Sequence, residues 1–516
     1  MVIKLIFLIC FFAAMILVGI YARRHTTNVG DFVLGGRSVG PWITAFAYGT
    51  TYFSAVVFVG YAGQFGWKYG ISATWIGIGN ALIGSLLAWV VLGRRTRVMT
   101  HHLKSTTMPD FFGSRYNSKA IRIVASAIAF LFLIPYTASV YKGLSKLFGM
   151  AFNIPFSVCV YAMALLTCLY VILGGYMATA INDFIQGIIM LFGIVAVIAV
   201  VLHNNGGFIE AVGNLAKIPS DTNPTMGQPG AFSSFFGPDP LNLLGVVILT
   251  SLGTWGLPQM VHKFYTIKNE KSIKTGTIIS TIFAIVISGG CYFLGSFGRL
   301  YNGSAIQVKN PDGTVGIAFD AIIPHMLSSL SNVLIGIVVV LVLSASMSTL
   351  ASLVMTSSST LTLDFIKGNL VKKMSEKKQI LVMRILIVFF IVLSVAIALY
   401  TPKSALKFIA QLMGISWGAL AGSFLAPFLY GLYWKRTTKL AVWASFATGV
   451  GITVSNLFIG YIKSPINAGA IAMVVGLIIV PIVSLITPKM EQNKVDEIFA
   501  CYDETVVVHT RESIEE

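Results

Sequence analysis

Apolar residues along this chain come in long blocks separated by short polar stretches, not in the short rhythm of a soluble fold. A block needs about 20 residues to cross a hydrocarbon layer roughly 30 Å thick. Thirteen blocks qualify, near 3–21, 42–66, 70–92, 121–149, 155–174, 182–202, 240–262, 276–299, 328–357, 381–400, 405–433, 440–461 and 467–487. Each predicts a helix, because a helix satisfies its own backbone in lipid. Block 121–149 has the length of one tilted helix. The first block differs from a signal peptide. Its basic pair, Arg23 and Arg24, follows the apolar run, and no small-residue cleavage site comes after it. It reads as a retained span with its N-terminus outside.

Three blocks carry polar interruptions at mid-depth. The second holds Gly49-Thr50-Thr51-Tyr52-Phe53-Ser54, and the seventh holds Thr250-Ser251-Leu252-Gly253-Thr254-Trp255-Gly256-Leu257-Pro258. The ninth holds Ser344-Ala345-Ser346-Met347-Ser348-Thr349 and then Ser352. Glycine and proline inside a span free backbone carbonyls, which protein, water or an ion must satisfy. The plain alternative is close helix packing, with hydroxyls bonded back to the preceding turn. The second and seventh blocks lie five positions apart, which suggests two five-helix repeats with broken helices at matching places, the pattern of a transport site at the bilayer midplane. In the ninth block Ala345, Ser348 and Thr349 share one helical face, extended by Ser352. One carbonyl and two hydroxyls form a hard, neutral oxygen cluster suited to a small monovalent cation. The missing oxygens would come from carbonyls freed in the second block.

Asp183 opens the sixth block. A carboxylate at membrane depth is costly and marks function; the alternative is a helix N-cap. Lys142 and Lys146 stand one turn apart toward the outer end of the fourth block. Lys146 reads as snorkelling to the interface, and Lys142, which lies deeper, as a partner for an anionic solute or a second interfacial lysine.

Composition agrees with a polytopic membrane protein: 56% of the 516 residues are hydrophobic and 11% charged, against about 25% charged in soluble domains. Disorder, a disulfide scaffold and a soluble nucleic-acid binder are excluded. The five cysteines are scattered, with no metal-ligand spacing. The net charge of +17 gains meaning from its placement. With thirteen spans and the N-terminus outside, 26 of the 36 Lys and Arg, Lys263 among them, fall on the cytoplasmic side. That bias follows the positive-inside rule and sets the C-terminus inside.

These motifs together resemble those of the sodium/solute symporters, a family that includes pantothenate, proline, sialic acid and sodium/glucose transporters. The marks are Gly35-Gly36-Arg37-Ser38, Gly174-Gly175-Tyr176 through Asn182-Asp183 and Gln186, Gly256-Leu257-Pro258, and Met347-Ser348-Thr349. The resemblance covers nearly the whole chain and is closest to the sodium/pantothenate symporters, with proline permeases more distant. It implies an all-α, leucine-transporter-like inverted-repeat fold of about 13 transmembrane helices. The transporter domain would be 1–487: an extra helix at 3–21, repeats at 42–202 and 240–433, two final helices within 440–487, then a cytoplasmic tail at 488–516. It also implies a sodium site formed by the carbonyls of Thr50, Phe53 and Ala345 and the hydroxyls of Ser348 and Thr349. A second sodium site in some members matches Asp183 and Ser352, but Ala351 stands where a serine is expected.

For the solute, Val57 replaces the glutamine of the sugar transporters, and Thr250 and Thr254 replace a Trp and a Tyr of the proline permeases. The stretch Thr51–Ala55 and the Gly256-Leu257-Pro258 turn look most like the pantothenate symporters. Lys142 departs from all three patterns. Substrate-facing candidates are Tyr52, Ser54, Lys142, Thr254, Trp255 and Gln411. The expectation is sodium-coupled import of a small carboxylate such as pantothenate or another monocarboxylate, with proline or another amino acid as the alternative. Sodium ion, the small solute and the lipid bilayer are its expected partners, with no nucleic acid and no obligatory protein partner, in a bacterial cytoplasmic membrane. A membrane-embedded enzyme is disfavoured: His101-His102 lies in a basic loop without a carboxylate pair, nucleophile elbow or zinc motif. A channel is disfavoured as well, since no selectivity-filter sequence appears in the chain.

Overall fold

The computed structural model describes residues 2–23, 28–219, 229–309, 315–367, 369–371, 373–400 and 409–502. In chain order its helices are α1 (Val2–Arg23), α2 (Val29–Leu34), α3 (Pro41–Tyr52), α4 (Ala62–Tyr69), α5 (Thr74–Ala81), α6 (Arg94–His102) and α7 (Met108–Arg115). Then come α8 (Lys119–Phe152), α9 (Phe156–Asn204), α10 (Phe208–Ala216), α11 (Pro240–Leu252), α12 (Pro258–Tyr265), α13 (Glu270–Ala284) and α14 (Gly290–Ser296). The last are α15 (Phe319–Ser328), α16 (Asn332–Thr360), α17 (Glu376–Tyr400), α18 (Ile409–Tyr433), α19 (Lys439–Ile459), α20 (Pro465–Ile486) and α21 (Gln492–Phe499). Proline at the first helical turn starts α3, α11, α12 and α20, where its missing N–H costs nothing. A short antiparallel hairpin, β1 (Gln307–Lys309) with β2 (Val315–Ile317), lies between α14 and α15 in this otherwise all-α fold.

Among the described residues, ten helices are long and apolar enough to cross a membrane, or eleven if the bent pair Pro240–Trp255 and Pro258–Tyr265 counts as one span. The difference from thirteen lies at two glycines. Gly70 turns the backbone at φ +60° between α4 and α5, within the stretch Val56–His102 that counts once. Gly175, at φ +57°, breaks α9, leaving Phe156–Leu169 short of a full span. Only glycine adopts these angles cheaply. The backbones of α4 and α14 approach so closely that a Cβ at Gly66 would lie 2.0 Å from the Gly295 carbonyl oxygen.

The two broken helices meet. α3 packs against α9, α12, α13 and α16, and α16 packs in turn on α8, α9 and α12. The interior half of α16 from Ser344 to Thr360 is buried throughout, hydroxyls included. After α20 the chain does not trail away. Phe499 at the end of α21 lies 4.9 Å under the Arg115 guanidinium, and Tyr502 lies 4.5 Å from that of Arg95. The expected tail 488–516 therefore begins as a docked helix; residues 503–516 lie outside the described residues.

Candidate functional site

α3 ends because Phe53 leaves helical geometry, at φ −108° and ψ 102°. The amides of Val57 and Phe58 both turn to the Ser54 carbonyl, so the ladder passes over the carbonyl of Phe53. Facing this break, the Thr349 hydroxyl lies 3.3 Å from the Thr50 carbonyl oxygen, 3.1 Å from that of Thr51 and 3.0 Å from that of Ala345. A hydroxyl carries one proton, so it satisfies one of the three carbonyls at a time. The Ser348 hydroxyl donates to Thr50 Oγ1 at 2.8 Å, and Thr50 Oγ1 donates to the Phe46 carbonyl at 2.8 Å. Thr50, Ala345, Ser348 and Thr349 are thus brought together, with Phe53 and Ala345 lining one cavity beside them. The Thr51 carbonyl joins this group as well, an oxygen outside the expected set. A backbone oxygen leaves no side-chain signal.

Asp183 lies well inside the helix that follows the Gly175 break, so the N-cap alternative does not hold. Its carboxylate is fully buried, and its nearest cation is Lys263 Nζ at 3.5 Å. Lys263 is also buried. Its Nζ donates to Ser352 Oγ at 3.1 Å and sits 5.2 Å over the Tyr176 ring. Ser352 Oγ in turn lies 2.9 Å from Thr51 Oγ1. Asp183 and Ser352 are therefore neighbours, but through an ammonium group that the sequence reading placed in a cytoplasmic loop. The Gly256-Leu257-Pro258 break turns α12 inward and carries Lys263 with it. Nothing in the residues around Lys263 announces that turn's direction.

The basic end of α12 is pinned by the Gly35-Gly36-Arg37 turn, whose three residues all have positive φ. Arg37 donates to the carbonyls of Ser105 at 2.6 Å, Tyr265 at 3.3 Å and Thr100 at 3.4 Å. Burial, with Arg97 nearby, lowers its guanidinium to about 10, so it stays charged at neutral pH.

Of the substrate-facing candidates, Tyr52, Thr254 and Trp255 converge on one turn. Thr254 Oγ1 donates to the Gly84 carbonyl at 3.1 Å, and Trp255 Nε1 to that of Ile83 at 3.0 Å. The Tyr52 hydroxyl donates to the Thr250 carbonyl and lies where a Cβ on Gly84 would stand. Ser54 is buried at the α3 break and accepts from the Val56 amide. Lys142 is half-buried on α8, within the electrostatic reach of Asp320 on α15. Gln411 is half-buried in the first turn of α18. Two aromatic residues complete the group unannounced. Trp417 stacks on Tyr52 at 6.1 Å, and Tyr136 meets Trp417 edge-on at 5.8 Å. The Tyr136 hydroxyl faces Trp417 and Ser54, yet the Trp417 N–H is buried with no hydrogen-bond partner. An aromatic flanked by small residues, Ser416-Trp417-Gly418, was the available signal.

Comparison with known proteins agrees with this geometry. The profile of the sodium:solute symporter family matches residues 32–449. A sodium/proline symporter of Staphylococcus aureus strain JH9 is 29% identical over 497 residues, covering 94% of this chain and 92% of the relative. Among solved structures, a Na+-coupled sialic acid symporter in a substrate-bound outward-open state superposes with a TM-score of 0.75 at 19% identity, covering 95% of this chain and 98% of its own. Mhp1, a nucleobase-cation-symport-1 family transporter in a closed conformation, gives 0.52 at 12% identity, with coverage of 92% and 99%. These neighbours establish the leucine-transporter-like fold, and family membership makes the protein a multi-pass transporter and not an enzyme. The chain belongs to the sodium:solute symporter family.

Proposed function

We propose that this protein imports a small amino acid of the proline type together with sodium, by alternating access across a bacterial cytoplasmic membrane. One observation carries the sodium half: a single Thr349 hydroxyl faces three carbonyls drawn from two helices. An ion there, held by Thr50, Phe53, Ala345, Ser348 and Thr349, would meet the lone pairs that one proton cannot serve. It would also tie the broken helix α3 to α16, so that sodium binding favours one arrangement of the two. A solute that prefers the same arrangement is then coupled to the ion. Release would proceed toward the side where a narrow cavity is lined by Tyr176, Thr179, Gln259, Lys263, Ser352 and Met355.

For the solute, the names of the relatives support proline, and so does the aromatic group. The faces of Tyr52, Tyr136 and Trp417 suit a ring that carries a cationic nitrogen. Ser54, Thr254 and Gln411 would supply polar contacts around it, and Trp255, whose N–H is bonded to the Ile83 carbonyl, would offer its ring. The second reading, pantothenate or another monocarboxylate, keeps the support of the Thr51–Ala55 stretch. Its local argument, Lys142, is weakened because Asp320 of the chain itself supplies a negative charge near that lysine. We assign the basic face to the cytoplasm, with the N-terminus outside.

Purified protein in liposomes, given an inward sodium gradient, tests the reading. Labelled proline should accumulate, labelled pantothenate should not, and an equal potassium gradient should drive neither. Accumulation of pantothenate alone would select the second reading. Accumulation without sodium would overturn both.

A further inference from the structure

Asp183 poses a problem of charge. It is fully buried beside the sodium-binding group, and neither of its oxygens completes a hydrogen bond of ordinary geometry. A carboxylate so placed requires a counter-charge, because uncompensated burial costs several kcal/mol. The structure supplies that charge from the chain itself. Lys263 Nζ, 2% exposed, lies 3.5 Å from Asp183 and donates to Ser352 at 3.1 Å. These are the two residues that, by resemblance, would hold a second sodium ion. Where a serine would complete that ion's shell stands Ala351, which has no side-chain oxygen.

We propose that the Lys263 ammonium is the permanent cation of this second position, so that the protein carries one sodium ion per solute. An ammonium and a sodium ion have the same charge, and both seek oxygen. They cannot share the position, because two positive charges that close together repel strongly where the dielectric is low. The fixed cation also touches the other site. Its acceptor Ser352 is paired with Thr51 Oγ1, and the Thr51 carbonyl faces Thr349. Lys263 stands on α12, Asp183 on α9 and Ser352 on α16. One side chain therefore spans three helices, and it stays in place when sodium leaves.

The inference rests on the sodium-coupled reading and is tested apart from it. Equilibrium binding of radioactive 22Na+ to the purified full chain needs no solute. One ion per wild-type chain is expected. Lys263→Met removes the charge, keeps the bulk and leaves Asp183 and Ser352 free to bind an ion, so it should bind two. Lys263→Met combined with Asp183→Asn should return to one, and Lys263→Arg should remain at one. Two ions on the wild type would overturn this inference while leaving sodium coupling intact; none would overturn sodium coupling itself. A folded Lys263→Met that binds one ion also overturns the inference. If Lys263→Met does not fold, Lys263→Gln, which keeps a polar side chain beside Asp183 and Ser352 but removes the charge, takes its place: two ions are expected, and one would overturn the inference.

Discussion

Ser348 and Thr349 each offer one hydroxyl to a group otherwise made of carbonyls, and their loss should be felt by sodium before solute. Ser348→Ala and Thr349→Ala are expected to raise the sodium concentration for half-maximal uptake by about tenfold each, equivalent to roughly 1.4 kcal/mol, with solute affinity little changed at saturating sodium. Titrating uptake against sodium measures this, and an unaltered sodium curve in the double variant would remove the assignment. Asp183 obeys a different logic. Asp183→Asn leaves the Lys263 ammonium buried without its counter-charge, which typically costs about 3–5 kcal/mol. A lowered yield and melting temperature are expected, with recovery when Lys263→Met is added. Had Asp183 been a helix cap, asparagine would serve as well as aspartate. The hydroxyls at 345–352 were legible because helical spacing fixes which side chains share a face. Lys263 was not: beside Lys268 and Lys271 it looks like loop charge, and only the α11–α12 turn buries it.

At the scale of elements, the breaks in α3 and α11–α12 were written in glycine, proline and hydroxyls, and their meeting follows from the packing of α3 on α12. What α15 does was not written anywhere. Its Asp320 is buried and accepts the amide of Ile409 at 3.2 Å, at the first described turn of α18. Burial pushes its carboxyl up to about 6, against the pull of that amide and of the Lys146 and Lys142 charges. A carboxyl raised from 3.8 binds more protons when α15 is docked than when it is exposed. Docking is therefore favoured by acid and weakened as pH rises through about 6. Two pH units correspond to at most about 3 kcal/mol. Melting temperatures from pH 5 to 7.5 should fall for the wild type relative to Asp320→Asn, which has no carboxyl to ionise. Parallel curves would mean that Asp320 does not titrate in this range.

Over the whole molecule, the order of spans was legible from apolar blocks alone, and the glycines that turn the chain, Gly70 and Gly175, stand at the borders between blocks. That the tail begins as a docked helix was not legible in the sequence. The segment 492–502 has a low apolar content, but Val495, Ile498 and Phe499 are buried, and the rings of Phe499 and Tyr502 meet the guanidinium groups of Arg115 and Arg95. Truncation after Met490 should lower the melting temperature by a few degrees, since each such contact is worth about 0.5–2 kcal/mol. Sodium dependence should persist; its loss would give the tail a part in transport. The tethered ammonium has an energetic meaning for the cell. A potential of 100 mV is worth about 2.3 kcal/mol per charge moved, or roughly 50-fold in concentration. With one travelling charge and a tenfold sodium gradient, the steepest solute ratio the protein can sustain is about 500-fold, whereas two travelling ions would square it. In exchange, uptake varies with the first power of external sodium instead of the second, which favours scavenging where salt is scarce.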